Sequence, residues 1–259
     1  MARPEETGFP YVTTIIRASE VDSTNDLARR LIDRGELPAR TLIWADRQTR
    51  GRGQGSNAWW SDEGSLTATI AIDPTAHGLT VAHGPRVALA VASAIASAIR
   101  ALYPSCRAGI RWPNDIEAEG RKLGGLLVER VETPGAPRLL VGIGINVRTR
   151  LDAAPAEVRR MAASLAGWDE VRPAGDPKAR LLEGILGRIE SPLGALARGR
   201  RDLVDRWNEL DTLAGKAVRV AVGPEIIEAV AEGIDDLGGL KLRSDGRPRV
   251  IYAGRVLRD

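Results

Sequence analysis

The sequence predicts an α/β (α+β) protein: a mixed central β-sheet with flanking helices over residues 1–211, then a small C-terminal β-barrel over residues 212–259. Three observations carry this. Strand-like and helix-like periodicities alternate as far as Trp207. The stretch Val87–Ile99 (VALAVASAIASAI) is apolar, alanine-rich and closed by Arg100, too short to span a bilayer, so it reads as a buried helix. From Leu213 to Arg258 the chain changes to short β-like runs (AVRVAV, EIIEAVAEGI, GLKLR, RVIYAG, RVL), divided by Gly223-Pro224, Gly238-Gly239 and Asp245-Gly246. Short strands with frequent turns are the signature of a small barrel, which places a domain boundary near 211–214.

Taken in order, Val12–Ala18 is a β-branched run and reads as a strand. Ser23-Thr24-Asn25-Asp26 then opens the amphipathic stretch LARRLIDR, with an N-cap and a first-turn acid, and Gly35 closes it. Thr41–Ala45 is a short strand. Residues 47–62 are glycine-rich and polar, a loop. Ser65–Ile72 alternates, with Leu66, Ala68, Ile70 and Ile72 on one face, which predicts a strand with one buried side. A helix over 81–102 follows, then strands at Ile110–Trp112, Ile116–Ala118 and Lys122–Glu132. The turn Ala118-Glu119-Gly120-Arg121 reads as a hairpin connection. Leu139–Val147 is another central strand, and two or three helices fill roughly 155–210.

Composition narrows the function. Of 259 residues, 43% are hydrophobic and 27% charged, ordinary for a soluble globular protein. The net charge of +3 is spread along the chain, which suits a phosphate-bearing ligand or an acidic partner better than a nucleic-acid stripe. Cys106 is the single cysteine, so no internal disulfide forms, which fits a reducing cytoplasm. With only His77 and His83 beside it, a structural zinc site is not expected. The N-terminus lacks the pattern of a signal peptide.

Four short motifs carry chemistry. In Arg50-Gly51-Arg52-Gly53-Gln54-Gly55, glycines let backbone N–H groups turn toward an anion, and the arginines add forked positive charge. A glycine-rich surface turn is the plain alternative, and the loop fits neither the Walker nor the Rossmann pattern. Arg111-Trp112-Pro113-Asn114-Asp115 ends a strand with an amide and a carboxylate leaving the sheet edge, or is simply a turn. Arg121-Lys122-Leu123-Gly124-Gly125 puts an ammonium beside accessible backbone, or is a solvated lysine after a hairpin. Gly142-Ile143-Gly144-Ile145-Asn146 marks a strand that something approaches closely, ligand or neighbouring backbone.

In this order the motifs resemble the biotin–protein ligases. The family series runs Ser-Thr-Asn, Gln-x-x-Gly-Arg-Gly with a following Trp, Trp-Pro-Asn-Asp, Lys-x-Gly-Gly and Gly-Ile-Asn. Here these are Ser23-Thr24-Asn25, Gln48 to Gly53 with Trp59, Trp112 to Asp115, Lys122 to Gly125, and Gly144 to Asn146. The resemblance implies the fold of class II aminoacyl-tRNA synthetases and biotin ligases, with an SH3-like C-terminal barrel. It implies a two-step reaction: biotin and ATP give biotinyl-5'-AMP, and biotin then passes to a lysine of a biotin carboxyl carrier protein. Mg²⁺ is the implied metal, cytoplasm the implied location, and neither DNA nor membrane is a partner. By the same resemblance Ser23, Thr24, Asn25 and Gln48 bind biotin, with Gly51, Arg52 and Gly53 as the loop over it and Lys122, Gly124 and Gly125 beside its acyl end. Arg52, Trp59, Arg111, Asn114, Asp115, Lys122 and Asn146 contact ATP or the adenylate. Arg52, Asp115 and Lys122 are the catalytic set, and Asp115 is also the residue expected nearest the metal.

Two departures stand out. The family loop usually continues with further arginines, where this chain has Gln54, Gly55, Ser56 and Asn57, and Arg111 replaces a lysine. The winged helix-turn-helix of regulatory members does not fit before Ser23. The rivals are a lipoate or octanoate ligase of the same fold, whose Arg-Arg-x-Ser-Gly-Gly-Gly stretch or catalytic Cys is missing, and a non-catalytic biotin sensor. Trp44, Trp60, Trp168 and Trp207 read as packing residues, with an adenine-stacking role open for Trp168. Arg258 is within conceivable reach of the nucleotide, and Cys106 reads as a small apolar filler.

Overall fold

The computed structural model describes residues 5–133, 136–168 and 175–258. Its strands are β1 (Glu5–Glu6), β2 (Thr14–Val21), β3 (Thr41–Gln48), β4 (Gly51–Arg52), β5 (Ala58–Trp59), β6 (Ser65–Ile72), β7 (Gly109–Arg111), β8 (Asp115–Ala118), β9 (Arg121–Val131) and β10 (Arg138–Asn146). The helices are α1 (Thr24–Asp33), α2 (Gly84–Leu102), α3 (Ala156–Met161), α4 (Pro177–Ala197) and α5 (Arg201–Leu210). Strands β11 (Ala217–Val222), β12 (Glu225–Ile234), β13 (Leu240–Ser244), β14 (Arg247–Ile251) and β15 (Arg255–Val256) follow.

Eight strands form the main sheet in the order β1-β2-β3-β6-β10-β9-β8-β7. Only β2 and β3 pair in parallel, so the sheet is mixed, as expected. The strand expected at Val12–Ala18 is β2, which starts later and ends later than its β-branched run suggests, and the short β1 before it was not expected. Tyr11 has φ 68° and the Val12 N–H donates to the Pro10 carbonyl, so the chain is still turning at that point. Parallel pairing of Glu20 with Arg47 and of Val21 with Gln48 then carries β2 and β3 past the predicted ends. This extension delivers Ser23 and Gln48 to the same edge of the sheet.

Strand β6 alternates as predicted, yet all eight of its residues are buried. Leu66, Ala68, Ile70 and Ile72 join the main core, which α2, α4 and α5 cover. The opposite face carries Ser65, Thr67, Thr69 and Ala71, and α1 lies across it. Period-2 patterning marks the apolar side; it does not reveal that the hydroxyl side is covered too. The hairpin turn between β8 and β9 is as expected: Glu119 (φ 53°) and Gly120 (φ 75°) are both left-handed, as a tight two-residue connection requires.

The second sheet is antiparallel, in the order β14-β13-β12-β11-β15, and is the C-terminal β unit expected from the sequence. Its Val220, Ile234, Leu240 and Leu242 run into the main core. Asn208 on α5 clamps it, accepting from the Ile234 N–H (2.8 Å) and donating to the Ile234 carbonyl (3.0 Å). Trp112 Nε1 donates to the Gly238 carbonyl at 2.9 Å. These bonds hold the small sheet against α5 and the connection between β7 and β8. Among the described residues no helix is long and apolar enough to cross a membrane.

Candidate active site

A cavity of about 570 Å³ opens between the start of α1, the loop after β3, strands β8 to β10, helix α3 and the β15 end of the small sheet. Of the residues singled out from the sequence, Ser23, Thr24, Asn25, Gln48, Arg52, Gly53, Trp59, Arg111, Asn114, Asp115, Lys122, Gly125 and Asn146 line it. Gly51 and Gly124 do not. A Cβ on Gly51 would lie 2.5 Å from the Trp59 carbonyl oxygen, and one on Gly124 2.3 Å from the Gly144 carbonyl oxygen, so both are glycines of close backbone approach.

At one end the polar groups are buried. Ser23, Thr24 and Asn25 form the first turn of α1, each no more than 3% exposed. Ser23 has the extended backbone of an N-cap but makes no side-chain cap bond, contrary to the expected capping role. The Thr24 N–H donates to Gln48 Oε1 at 2.7 Å, and its hydroxyl reaches the same oxygen at 3.1 Å. Thr69 Oγ1 lies 2.8 Å from Thr24 Oγ1 and 2.6 Å from Asn25 Oδ1.

The glycine-rich segment is not wholly irregular. β4 and β5 pair Gly51 with Trp59 and Arg52 with Ala58, and the Gly53 N–H donates to the Asn57 carbonyl at 2.7 Å. The Trp59 indole lies flat against bare backbone: a Cβ on Gly144 would come within 2.6 Å of its Cε2. Gly142 plays the same part for Asn25, whose Oδ1 would be 2.6 Å away. Arg52 is paired with Asp26 (2.8 Å) and Glu129 (2.7 Å). Glu129 also receives Asn25 Nδ2 (2.8 Å) and Arg29 Nη2 (2.9 Å). Burial works to raise the Glu129 pKa, but the hydrogen bonds from Arg29, Asn25 and Arg52 outweigh it and hold the carboxyl below its ordinary value.

Charge gathers at the other end. Lys122 Nζ sits 2.6 Å from Asp115 Oδ1, and Arg258 Nη2 3.3 Å from Asp115 Oδ2. A Cβ on Gly125 would press on this pair, 3.0 Å from Asp115 Oδ1 and 3.4 Å from Lys122 Nζ. Behind it Glu117, 1% exposed, pairs with Arg258 (2.9 Å) and Arg111 (3.7 Å). Arg111 also donates to the Leu257 carbonyl at 2.8 Å. Asn114 Nδ2 is tied to the Leu126 carbonyl (2.6 Å) and Asn146 Nδ2 to the Ala163 carbonyl (3.1 Å). Five cations line the cavity (Arg52, Arg111, Lys122, Arg255 and Arg258) against two lining carboxylates (Asp115 and Glu157), while Asp26, Glu117 and Glu129 pair with three of the cations from outside the lining, so the cavity wall presents donors to an anionic ligand. Both Asp115 oxygens face cations. Among the described residues no group of three or more His, Cys, Asp or Glu is placed to hold a metal ion.

Sequence reasoning missed several of these groups. Trp60 lines the cavity rather than serving only as packing, and Arg255, Gln54 and the α3 residues Glu157, Val158 and Met161 line it too. Arg258 reaches the site, whereas Trp168 is not among the lining residues. Thr69 and Glu129, just outside the cavity, had no motif to mark them. Cys106 is fully buried, and burial pushes its thiol up to about 11, in keeping with its reading as an apolar filler.

Around this mixed sheet, with its cation-lined cavity and the small antiparallel sheet that closes it, two family models match the chain. The Biotin/lipoate A/B protein ligase family matches residues 18–146, and the Biotin protein ligase C terminal domain matches residues 214–258; the chain belongs to this family. Within it the chain is 29% identical to the biotin–[acetyl-CoA-carboxylase] ligase of Paracoccus denitrificans over 243 residues, covering 92% of this chain and 98% of that one. It is likewise 29% identical to the bifunctional ligase/repressor BirA of Escherichia coli over 243 residues, 91% of this chain and 71% of that protein. Among solved structures, the biotin protein ligase from Aquifex aeolicus in complex with biotin and ATP has the same fold: TM-score 0.78, 24% identity, covering 95% of this chain and 99% of that one.

Proposed function

We propose that this chain is a biotin–protein ligase that activates biotin with ATP and transfers it to a lysine of a biotin carboxyl carrier protein. The observation that carries this reading is one continuous cavity, polar and buried at the Thr24–Gln48 end and cationic at the Asp115–Lys122–Arg258 end. Such a cavity takes a small acid by its neutral head and brings its carboxylate to a triphosphate. Two anions must meet, and fixed cations lower the repulsion between them.

In the first step a biotin carboxylate oxygen bonds to the α-phosphorus as the bond to the pyrophosphate oxygen breaks. In the second, the carrier amine bonds to the acyl carbon, AMP leaves, and the amine sheds a proton. Ser23, Thr24, Asn25 and Gln48 hold the head group. Gly51, Arg52 and Gly53 form the covering loop, and Trp59 walls the site. Lys122 stabilises charge on the acyl-phosphate oxygens, with Gly125 leaving room for them and Gly124 letting β9 and β10 pack closely behind. Arg111 faces the phosphates, and Asn114 and Asn146 flank the nucleotide. Asp115 accepts the amine proton or stands next to the metal. Asp115 is the residue that would hold Mg²⁺, with a cation giving way there; the ion, which keeps few protein ligands, would neutralise charge on the ATP phosphates. Residues 1–211 form the ligase domain and 212–259 the barrel, and the work is done in the cytoplasm.

The test is incubation with biotin, ATP, Mg²⁺ and a biotin carboxyl carrier domain, read by mass spectrometry. A gain of one biotin on a lysine is expected. No gain, or a gain only when lipoate replaces biotin, overturns the reading.

A further inference from the structure

We infer that Arg111 is a positioning residue: it serves the phosphates it faces by seating Arg258, whose guanidinium makes the contact. The inference rests on reading the Asp115–Lys122–Arg258 end as the phosphate end of the site. It begins with where the two terminal nitrogens of Arg111 point. Nη2 donates to the Leu257 carbonyl at 2.8 Å, and Nη1 is turned to the buried Glu117, whose Oε2 is 3.7 Å away. Both acceptors belong to the protein. An arginine serves two acceptors at once because its planar fork ends in two nitrogens; a lysine ends in one. The replacement of the family's usual lysine by Arg111 thus coincides with a two-pronged contact.

The segment that Arg111 grips is short and needs an anchor. Strand β15 has two residues and pairs with β11 at Val220–Val256 and Ala221–Arg255. Just beyond it the Leu257 N–H donates to the Arg219 carbonyl of β11 at 2.8 Å. Leu257 therefore spans the two sheets, tied to the small one by its N–H and to the large one by its carbonyl. The next residue is Arg258, on the cavity wall. Its Nη1 lies 2.9 Å from Glu117 Oε2 and 3.1 Å from the Gly120 carbonyl oxygen. Its Nη2 lies 3.3 Å from Asp115 Oδ2, where a phosphate oxygen would be met. These bonds fix the head of the Arg258 side chain. The Arg111–Leu257 bond fixes the backbone from which that head is thrown, and Glu117 is the buried counter-charge that the two arginines share.

The test is a double-mutant cycle, read as the ATP KM for biotin-dependent pyrophosphate release. Arg111→Lys keeps the charge and gives up the fork. Alone it is expected to raise the ATP KM on the order of tenfold, with biotin affinity, measured by calorimetry without ATP, within about twofold of wild type. Arg258→Ala alone is expected to raise the ATP KM by at least as much. In the Arg258→Ala background, Arg111→Lys is expected to add less than about twofold, because the group it served is gone. Arg249→Lys, at an exposed arginine of the same small sheet, is expected to change neither reading. Should Arg111→Lys not fold, Arg111→Gln, with a neutral amide on a shorter stem, takes its place in the cycle. Equal rises in both backgrounds overturn the inference, since Arg111 would then meet the phosphates on its own. So does an unchanged ATP KM in either single variant, or a loss shared equally by biotin and ATP in step with a lower melting temperature, which is what a purely structural residue would give. A wild-type protein that releases no pyrophosphate with biotin and ATP overturns the functional reading itself, and this inference with it; wild-type turnover beside an additive cycle overturns the inference alone.

Discussion

Gly144→Ala tests whether the close approach of Trp59 to β10 governs the site. The added methyl would lie 2.6 Å from Trp59 Cε2 and 2.9 Å from Cζ2. Carbon atoms rest at about 3.5–4.0 Å, so the indole must retreat by roughly 1 Å. It cannot do so alone. Its residue pairs with Gly51 in the β4–β5 hairpin, and Lys122 Nζ stands 5.9 Å from the ring. Overpacking of this kind costs about 1–3 kcal/mol. At roughly 2–4 °C per kcal/mol for a chain of similar size, the melting temperature is expected to drop by about 2–12 °C. A shift of ~1 Å beside the reacting groups is expected to cost on the order of 100-fold in adenylate formation, measured as pyrophosphate release. Gly8→Ala, with nothing within 4 Å, is the comparison and is expected to be silent. A Gly144→Ala protein that melts and turns over like wild type would refute the packing argument.

Other expectations follow from single residues. Gly187 is exposed within α4 and an added methyl would meet nothing nearer than 3.9 Å, so Gly187→Ala is expected to stabilise by about 0.5–1 kcal/mol in denaturant melts. The hydrogen bonds from Arg30 outweigh burial and, with the Ser23 N–H, hold the Asp22 carboxyl down at about 2 from 3.8. A depressed acid stabilises the fold above its unfolded pKa and loses that contribution as pH falls through the folded value. Asp22→Asn should therefore flatten the stability profile between about pH 4 and 2 and lower stability at neutral pH; a profile parallel to wild type would count against the pairing. Gln54 lines the cavity from a loop whose later arginines are replaced, so Gln54→Arg is expected to slow escape of the adenylate on the order of tenfold in a release assay, through one added charge-assisted bond.

Much of the site was legible because its chemistry sits in contiguous runs. Ser23-Thr24-Asn25 and Trp112 to Asp115 enter the cavity as blocks, each placed by a single strand end. The Glu119-Gly120 turn was legible for the same reason, since its geometry is set by two adjacent residues. What escaped depends on register between distant strands. Glu129 meets Asn25 across 104 positions and Arg52 across 77, and nothing local distinguishes it from Glu132 on the same stretch. Thr69 was hidden because a hydroxyl on the polar side of an alternating strand reads as solvent-facing until α1 is seen to cover it. Ser23 misled in the opposite sense, having the backbone of a cap without its bond. Arg255 and Trp60 carry no local pattern at all; the packing of the small sheet and of the β4–β5 hairpin brings them in.

The buried thiol makes this protein convenient to instrument. Because Cys106 is the one cysteine, is sealed in the core and has its thiol lifted to about 11, maleimide dyes have no purchase on the folded molecule. A thiol introduced as Ser56→Cys, at the exposed tip of the glycine-rich turn, would thus be the sole point of attachment for a fluorophore. Movements of that turn as ligands come and go could then be followed in real time without first stripping a native sulfhydryl from the scaffold.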